Sequence, residues 1–309
     1  MAAESRFPVM GCEAHVVVSG PRADALVDDA RARLVALERR WSRFLPDSEI
    51  SVLNASAPDP VVVSRDTCAL VSHAIDGWRA TSGRFDPTVL GDVIRAGYAE
   101  SFDQNKPPVR GAKSTFRLGC AGIVVDTRTN VIRLPESVGF DPGGIGKGFA
   151  ADLVVDSLMR AGARVTCVNV GGDLRVSSKE LTARTWKIDV LHPFSDEPVD
   201  RLVIADGAVA TSSCAKRAWH IDGQPAHHLI DPSTGEPAAT GCTAVTAVAG
   251  TAWRAEVLAK AALVAGPDDG LAFLEDRGVP ALLFDAHGDR IATRALAPFC
   301  APRPDEVMN

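Results

Sequence analysis

The sequence lacks any recognisable pairing of cysteines. Its seven (Cys12, Cys68, Cys120, Cys167, Cys214, Cys242 and Cys300) are scattered, odd in number and never in a CxxC arrangement. That excludes a disulfide framework and a cysteine-ligated structural zinc. Excess positive charge is missing too. A net charge of -6 leaves no electrostatic footprint for nucleic acid or an anionic membrane. A polyanionic ligand would have to be met by a local patch or by backbone amides. No apolar run reaches membrane-spanning length. The opening "MAAESRFPVMGCEAHVVVSG" has no basic segment followed by an apolar one, so no export signal and a cytoplasmic location are expected. No repeat, low-complexity block or linker divides the chain. Its 309 residues are expected to form a single compact unit over 1–309 with one substantial core.

What is present reads as interleaved helices and strands. "HVVVSG" is a strand, followed by a long amphipathic helix through "ADALVDDARARLVALERRWSRF" and a second helix in "TCALVSHAIDGWRATSG". Residues 105–117 are polar, contain two prolines and are the expected mobile loop. "GIVVD" and "VIRL" around "TRTN" read as a hairpin. A helix opens at "GGIGKG", and strand-like runs follow in "VTCVNV", "TWKIDVL", "RLVIAD", "AVATSS", "AHHLID" and "CTAVTAVAG". The Ala-rich "RAEVLAKAALVAG" and then "DDGLAFLEDRG" are helices, and "PALLFD" is a last strand. Strands joined by short turns favour an α+β fold with a largely antiparallel sheet and packed helices over a doubly wound parallel one.

The strongest local signal is "DPGGIGKGFAAD", Asp141 to Asp152. Its glycines allow close approach to a helix N-terminus, where free amides and the dipole suit a phosphate, and Lys147 adds a point charge. The glycine spacing and the residue after Lys147 exclude a P-loop. A tight strand-to-helix turn would read the same way. In "HHLIDPSTGEP", alternation along a strand puts His227 and His228 on opposite faces, which argues against joint metal ligation.

Together these segments resemble the ApbE family of flavin transferases. "VMGCEAHVVV", "WSRFLPDSEISVLN", "GRFDPTV", "DPGGIGKGFAAD", "VNVGGD", "VATSS" and "HHLIDPSTGEP" occur in the family's order over most of the chain. The resemblance implies an ApbE-like, T-fold-related α+β fold. It also implies transfer of FMN from FAD to a Ser or Thr hydroxyl of a target flavoprotein carrying an acceptor motif, with release of AMP. It implies a flavin site of Met10, Phe44, Arg84, Phe85, Asp86, Asp141, Gly143, Gly144, Lys147 and Ile230. Thr211 and His228 match positions near the reacting end, where His228 could take the acceptor's proton. Neither nucleic acid nor membrane insertion is implied.

One departure stands out. The family holds Mg²⁺ partly through an Asp and a Thr four residues apart on the late helix, with a carbonyl from the Gly-rich loop. In register these positions fall on Glu256 and Lys260, with Gly144 in the loop. Glu256 and Gly144 remain possible cation ligands, but a protonated Lys260 is not one. Three readings follow. The Lys260 ammonium, held by Glu256, replaces the metal against the pyrophosphate. Or metal and catalysis are both lost, leaving an FAD-binding or storage protein. Or a cation binds nearby and the pair is structural. FAD hydrolysis to FMN and AMP is a further alternative activity.

Overall fold

Alternation sets the register of the first strands. In β2 (Cys12–Ser19), Ala14, Val16 and Val18 are fully buried while their neighbours are not, the period-2 pattern of a strand with one face on a core. A turn at Met10 and Gly11, both at positive φ, joins it to β1 (Ala2–Val9), as a two-residue hairpin of right-handed twist requires. In the computed structural model, which describes residues 1–101, 119–179, 185–221 and 223–301, six further strands complete one sheet. They are β3 (Val165–Val170), β4 (Asp173–Ser178), β5 (Gly207–Ser213), β6 (Cys242–Ala249), β7 (Ala281–Asp285) and β8 (Arg290–Ala292). Strand order in space follows the chain, and every neighbouring pair is antiparallel. The expected α+β class and antiparallel sheet are both present. β1 had not been read from the sequence, because its residues alternate only near Phe7 and Val9. The stretch 105–117, expected to be mobile, lies outside the described residues.

Helices cover one face of the sheet. α1 (Ala23–Trp41), α2 (Glu49–Ala55), α3 (Arg65–Ala80), α4 (Leu90–Arg95) and α5 (Gly146–Arg160) all lie in the connection from β2 to β3, and α6 (Ala252–Ala265) and α7 (Pro267–Glu275) between β6 and β7. α1 ends three residues before the expected Phe44. A hairpin of Trp186–Leu191 and Pro198–Ile204 covers part of the opposite face. Consequently β6 is buried on both sides: Val245 and Ala247 join the helix-side core, Ala244 and Val248 the hairpin-side core. Its unbroken "TAVTAVA" run reflects two apolar faces rather than one. The expected strand "AHHLID" is divided. Gln224–His227 pairs with Ala218–Ile221, Ile230–Asp231 pairs with Glu236–Pro237, and His228 and Leu229 fall between.

α6 explains its own composition. It is buried around most of its circumference, packed between β5, β6 and the helices α5 and α7. Alanines permit that approach from several sides at once. A Cβ on Gly148 of α5 would lie 2.6 Å from the carbonyl carbon of Ala252, so the two helices touch backbone to backbone. Asp152 of α5 then accepts from the Ala252 and Trp253 amides at 2.8 and 3.0 Å. It caps α6 in place of Thr251, whose side chain makes no cap bond. Gly148→Ala is expected to cost about 1–3 kcal/mol by overpacking against backbone that cannot swing aside, measured by urea denaturation.

Candidate functional site

Two cavities meet at the end of the sheet where α5 begins. The first, about 580 Å³, is lined by all ten residues assigned to the flavin site: Met10, Phe44, Arg84, Phe85, Asp86, Asp141, Gly143, Gly144, Lys147 and Ile230. The second, about 460 Å³, carries Thr211 and Glu256. His228, Lys260, Lys147, Arg217 and Gly143 line both. Every candidate from the sequence therefore reaches one cavity or the other, and the shared residues mark their junction.

The walls of the first cavity are built locally. Met10 sits at φ 52° in the β1–β2 turn, an uncommon conformation for a side-chain-bearing residue. Its amide donates to Glu38 Oε1 at 2.6 Å, which pins the turn to α1. The Asp86 carboxylate accepts from the Thr88 amide and hydroxyl, and Asp141 accepts from the Gly143 amide at 2.9 Å. Burial pushes Asp86 above the usual carboxylate range against those bonds. The aromatic wall is larger than expected. Phe44 meets Tyr98 edge-on at 5.7 Å, and Tyr98 lies 5.8 Å from Trp219 and 6.1 Å from His228. The Arg43 guanidinium lies 4.2 Å from the centre of the Phe44 ring and 4.8 Å from that of Tyr98. Sequence reasoning missed Arg43, although it lies inside "WSRFLPDSEISVLN", and Tyr98, Arg217 and Trp219, which lie in stretches with no motif. The one available signal was that Tyr98 is the only tyrosine in the chain.

The charged centre differs from expectation in its pairing. Lys147 is ion-paired with the buried Asp173 and lies 3.5 Å from Glu256 Oε1. Burial opposes its charge, yet Asp173 and Glu256 hold its pKa above the ordinary lysine value. Glu256 Oε2 accepts the Gly148 amide at 2.8 Å, so the α5 N-terminus already holds a carboxylate. Glu256 is thus bonded to Lys147 and to α5, and the expected Glu256–Lys260 salt bridge is not formed. Burial, reinforced by Asp173, raises the Glu256 pKa despite Lys147.

Lys260 faces both cavities, as Lys147 and Arg217 do, but without an ion pair among the described residues. No hydrogen bond or ion pair reaches its Nζ from the described residues, and a methyl on Gly144 would collide with it. Burial lowers its pKa, with Asp141 and Glu256 acting the other way. His228 Nδ1 is sealed from water without a hydrogen-bond partner among the described residues. Burial, then Lys260 and Arg217, hold its pKa well below the ordinary 6.5. His227 turns away, with Nε2 3.1 Å from the Ala238 carbonyl oxygen, so the two histidines do diverge. The Thr211 hydroxyl is engaged with that of Thr246 at 2.9 Å.

The walls combine aromatic and apolar faces with a cationic junction at Lys147, Arg217 and Lys260. A divalent cation does not fit the donor set. An ammonium lies against Gly144 and both Glu256 oxygens are engaged, by Lys147 and by the Gly148 amide. No helix among the described residues is long and apolar enough to cross a membrane.

The sequence profile of the ApbE family matches residues 10–283. An FAD:protein FMN transferase of Treponema pallidum is 29% identical over 293 residues, covering 88% of this chain and 80% of that protein. One from Vibrio cholerae is 28% identical over 249 residues, covering 79% and 74%. Among solved structures, the ApbE protein of Thermotoga maritima superposes with a TM-score of 0.87 at 25% identity, over 98% of this chain and all of that one. The flavin transferase ApbE of Vibrio cholerae gives 0.81 at 24% identity, over 97% and 99%, and speaks for the fold.

Removing one member of the ion cluster should be felt in stability. Asp173→Ala is expected to cost about 3 kcal/mol, the low end for a broken buried pair because Glu256 still faces Lys147, as read from the denaturation midpoint.

Proposed function

The chain belongs to the ApbE family, and on that premise we propose that it is an FAD:protein FMN transferase. It moves FMN from FAD to a Ser or Thr hydroxyl of a target flavoprotein and releases AMP. The observation that carries this reading is the junction itself: two cavities share His228, Lys260 and Lys147, as a reaction between two separately bound substrates requires. FAD takes the first cavity, with Met10, Phe44 and Tyr98 available to its ring faces and Asp86 and Asp141 to its hydroxyl and amino donors. The free thiols of Cys12, Cys68, Cys120, Cys167, Cys214 and Cys242 suit a reducing compartment such as the cytoplasm.

The acceptor hydroxyl attacks the FMN phosphorus. An oxygen–phosphorus bond forms as the bond to AMP breaks, and AMP leaves with the electron pair. His228, neutral at pH 7 because its pKa is lowered, takes the hydroxyl proton. Lys260 stands where relatives hold the cation and neutralises charge on the phosphoryl oxygens without a metal. Lys147 serves this indirectly: it satisfies Asp173 and Glu256, which leaves Lys260 free for the substrate. One ammonium carries half the charge of a dication, so turnover is slower than with a metal.

The test uses FAD and a target domain carrying an Asp-x-x-[Ser/Thr]-Gly-Ala-[Ser/Thr] segment, with and without EDTA. Flavin fluorescence on the denatured target is expected under both conditions. Activity lost in EDTA and restored by Mg²⁺ would overturn the role of Lys260. FAD binding with no transfer would instead identify a storage protein, and AMP released without a labelled target a pyrophosphatase.

Lys260→Ala is expected to lose about 10²–10³-fold in transfer rate while keeping some FAD, and His228→Gln about 10²–10⁴-fold. The pH profile should bracket the two groups. Protonating His228 gives an acid limb with its midpoint below 6.5, and deprotonating Lys260 gives an alkaline limb with its midpoint below 10.5. Transfer rates across pH check both limits.

A further inference from the structure

The second cavity has a feature that the chemistry above does not use. β5 pairs with β6 from Ala208 to Ser213, but its pairing with β4 stops at Val209↔Leu174. β4 begins only at Asp173, where the chain arrives from β3 through Gly171 and Gly172. The stretch from Ala210 to Ser213 therefore carries a ladder on one side only, among the described residues. The direction of its backbone groups follows from parity. The Cys214 amide donates to the Thr243 carbonyl, on the β6 side, so odd-numbered residues of this strand present their amide and carbonyl groups to the opposite side. Thr211 and Ser213 thus offer main-chain donors and acceptors to the open edge, and both line the second cavity.

The rim opposite is apolar and exposed. Leu191, His192 and Pro193 of the covering hairpin line the same cavity. Leu191 is 40% exposed, and Phe194, next in the hairpin turn after Pro193 and outside the cavity lining, is 58% exposed; exposed apolar groups of this kind mark a surface for another macromolecule more often than a small-molecule wall. Arg217 adds positive charge at the end of the strand, whereas Lys216 beside it is paired with Asp196 at 2.9 Å. An unpaired strand edge beside an apolar rim is the geometry by which an extended segment is bound through its backbone, its alternate side chains pointing into pockets.

We propose that this edge is the dock for the acceptor protein. An extended segment of that protein adds to β5 at Thr211 and Ser213, continuing the line that β4 leaves. Its hydroxyl then points to the junction at His228 and Lys260, and apolar residues beside it rest on Leu191 and Phe194. Carboxylates flanking the segment would meet Arg217. The proposal rests on the transferase reading and adds to it the place and backbone mode of acceptor recognition.

Thr211→Pro deletes the outward amide without touching the ladder to β6, and an edge strand tolerates proline there. The KM for the acceptor domain is expected to rise about tenfold, and Thr211→Val, which keeps the amide, to restore most of it. Phe194→Asp tests the rim independently and is expected to raise the same KM, with FAD titration reporting separately on the first cavity and thermal melting on the fold. Transfer with an unchanged acceptor KM in both Thr211→Pro and Phe194→Asp overturns the dock alone. A wild-type protein that binds FAD and labels no acceptor sinks the transferase reading, and the dock with it.

Discussion

The structure depends on the mutual capping of two helices. Glu256 of α6 holds the Gly148 amide of α5, and Asp152 of α5 holds the Ala252 and Trp253 amides of α6. Each helix supplies the carboxylate that the other's N-terminus lacks, across a contact tight enough that only glycine fits at position 148. Buried carboxylates are costly unless such bonds satisfy them. Here the same bonds fix the rotation of α6, and so the direction in which Lys260 projects.

That constraint also sorts the charges. A dipole end and a lysine in a Gly-rich turn are general equipment for phosphate. In this chain Glu256 and Asp173 already engage the Gly148 amide and Lys147. The site lysine left without an ion pair among the described residues is instead Lys260, one turn further along α6 than Glu256. The i,i+4 spacing that suggests an ion pair places the two side chains on one face, but tertiary partners claim Glu256 first. Competition of this kind, settled by burial and a second helix, cannot be read from helix periodicity.

Much of the fold was legible because its signals are local. Alternation in "HVVV", turn residues between the hairpin strands and the helical runs all depend on near neighbours. The failures were non-local. β1 is weakly alternating because much of it is exposed, and "AHHLID" looked like one strand although its halves pair with different partners. At the site, motif-bearing residues from Met10 to Lys260 were found, whereas Arg43, Tyr98 and Trp219 enter it only through packing. Their stacking on one another is a property of the assembled chain.

The connection between β2 and β3 has a kinetic side. Ser19 pairs directly with Val165, and helices α1 to α5 are all laid down between them. The sheet cannot zip from one hairpin to the next; its first half must wait for that long loop to close, an entropically expensive step that slows folding. The cavity walls come from both sides of the closure, from Met10 before it to Lys260 after it. A ligand that fits those walls therefore binds only the completed chain, and its binding adds to the stability of the folded state.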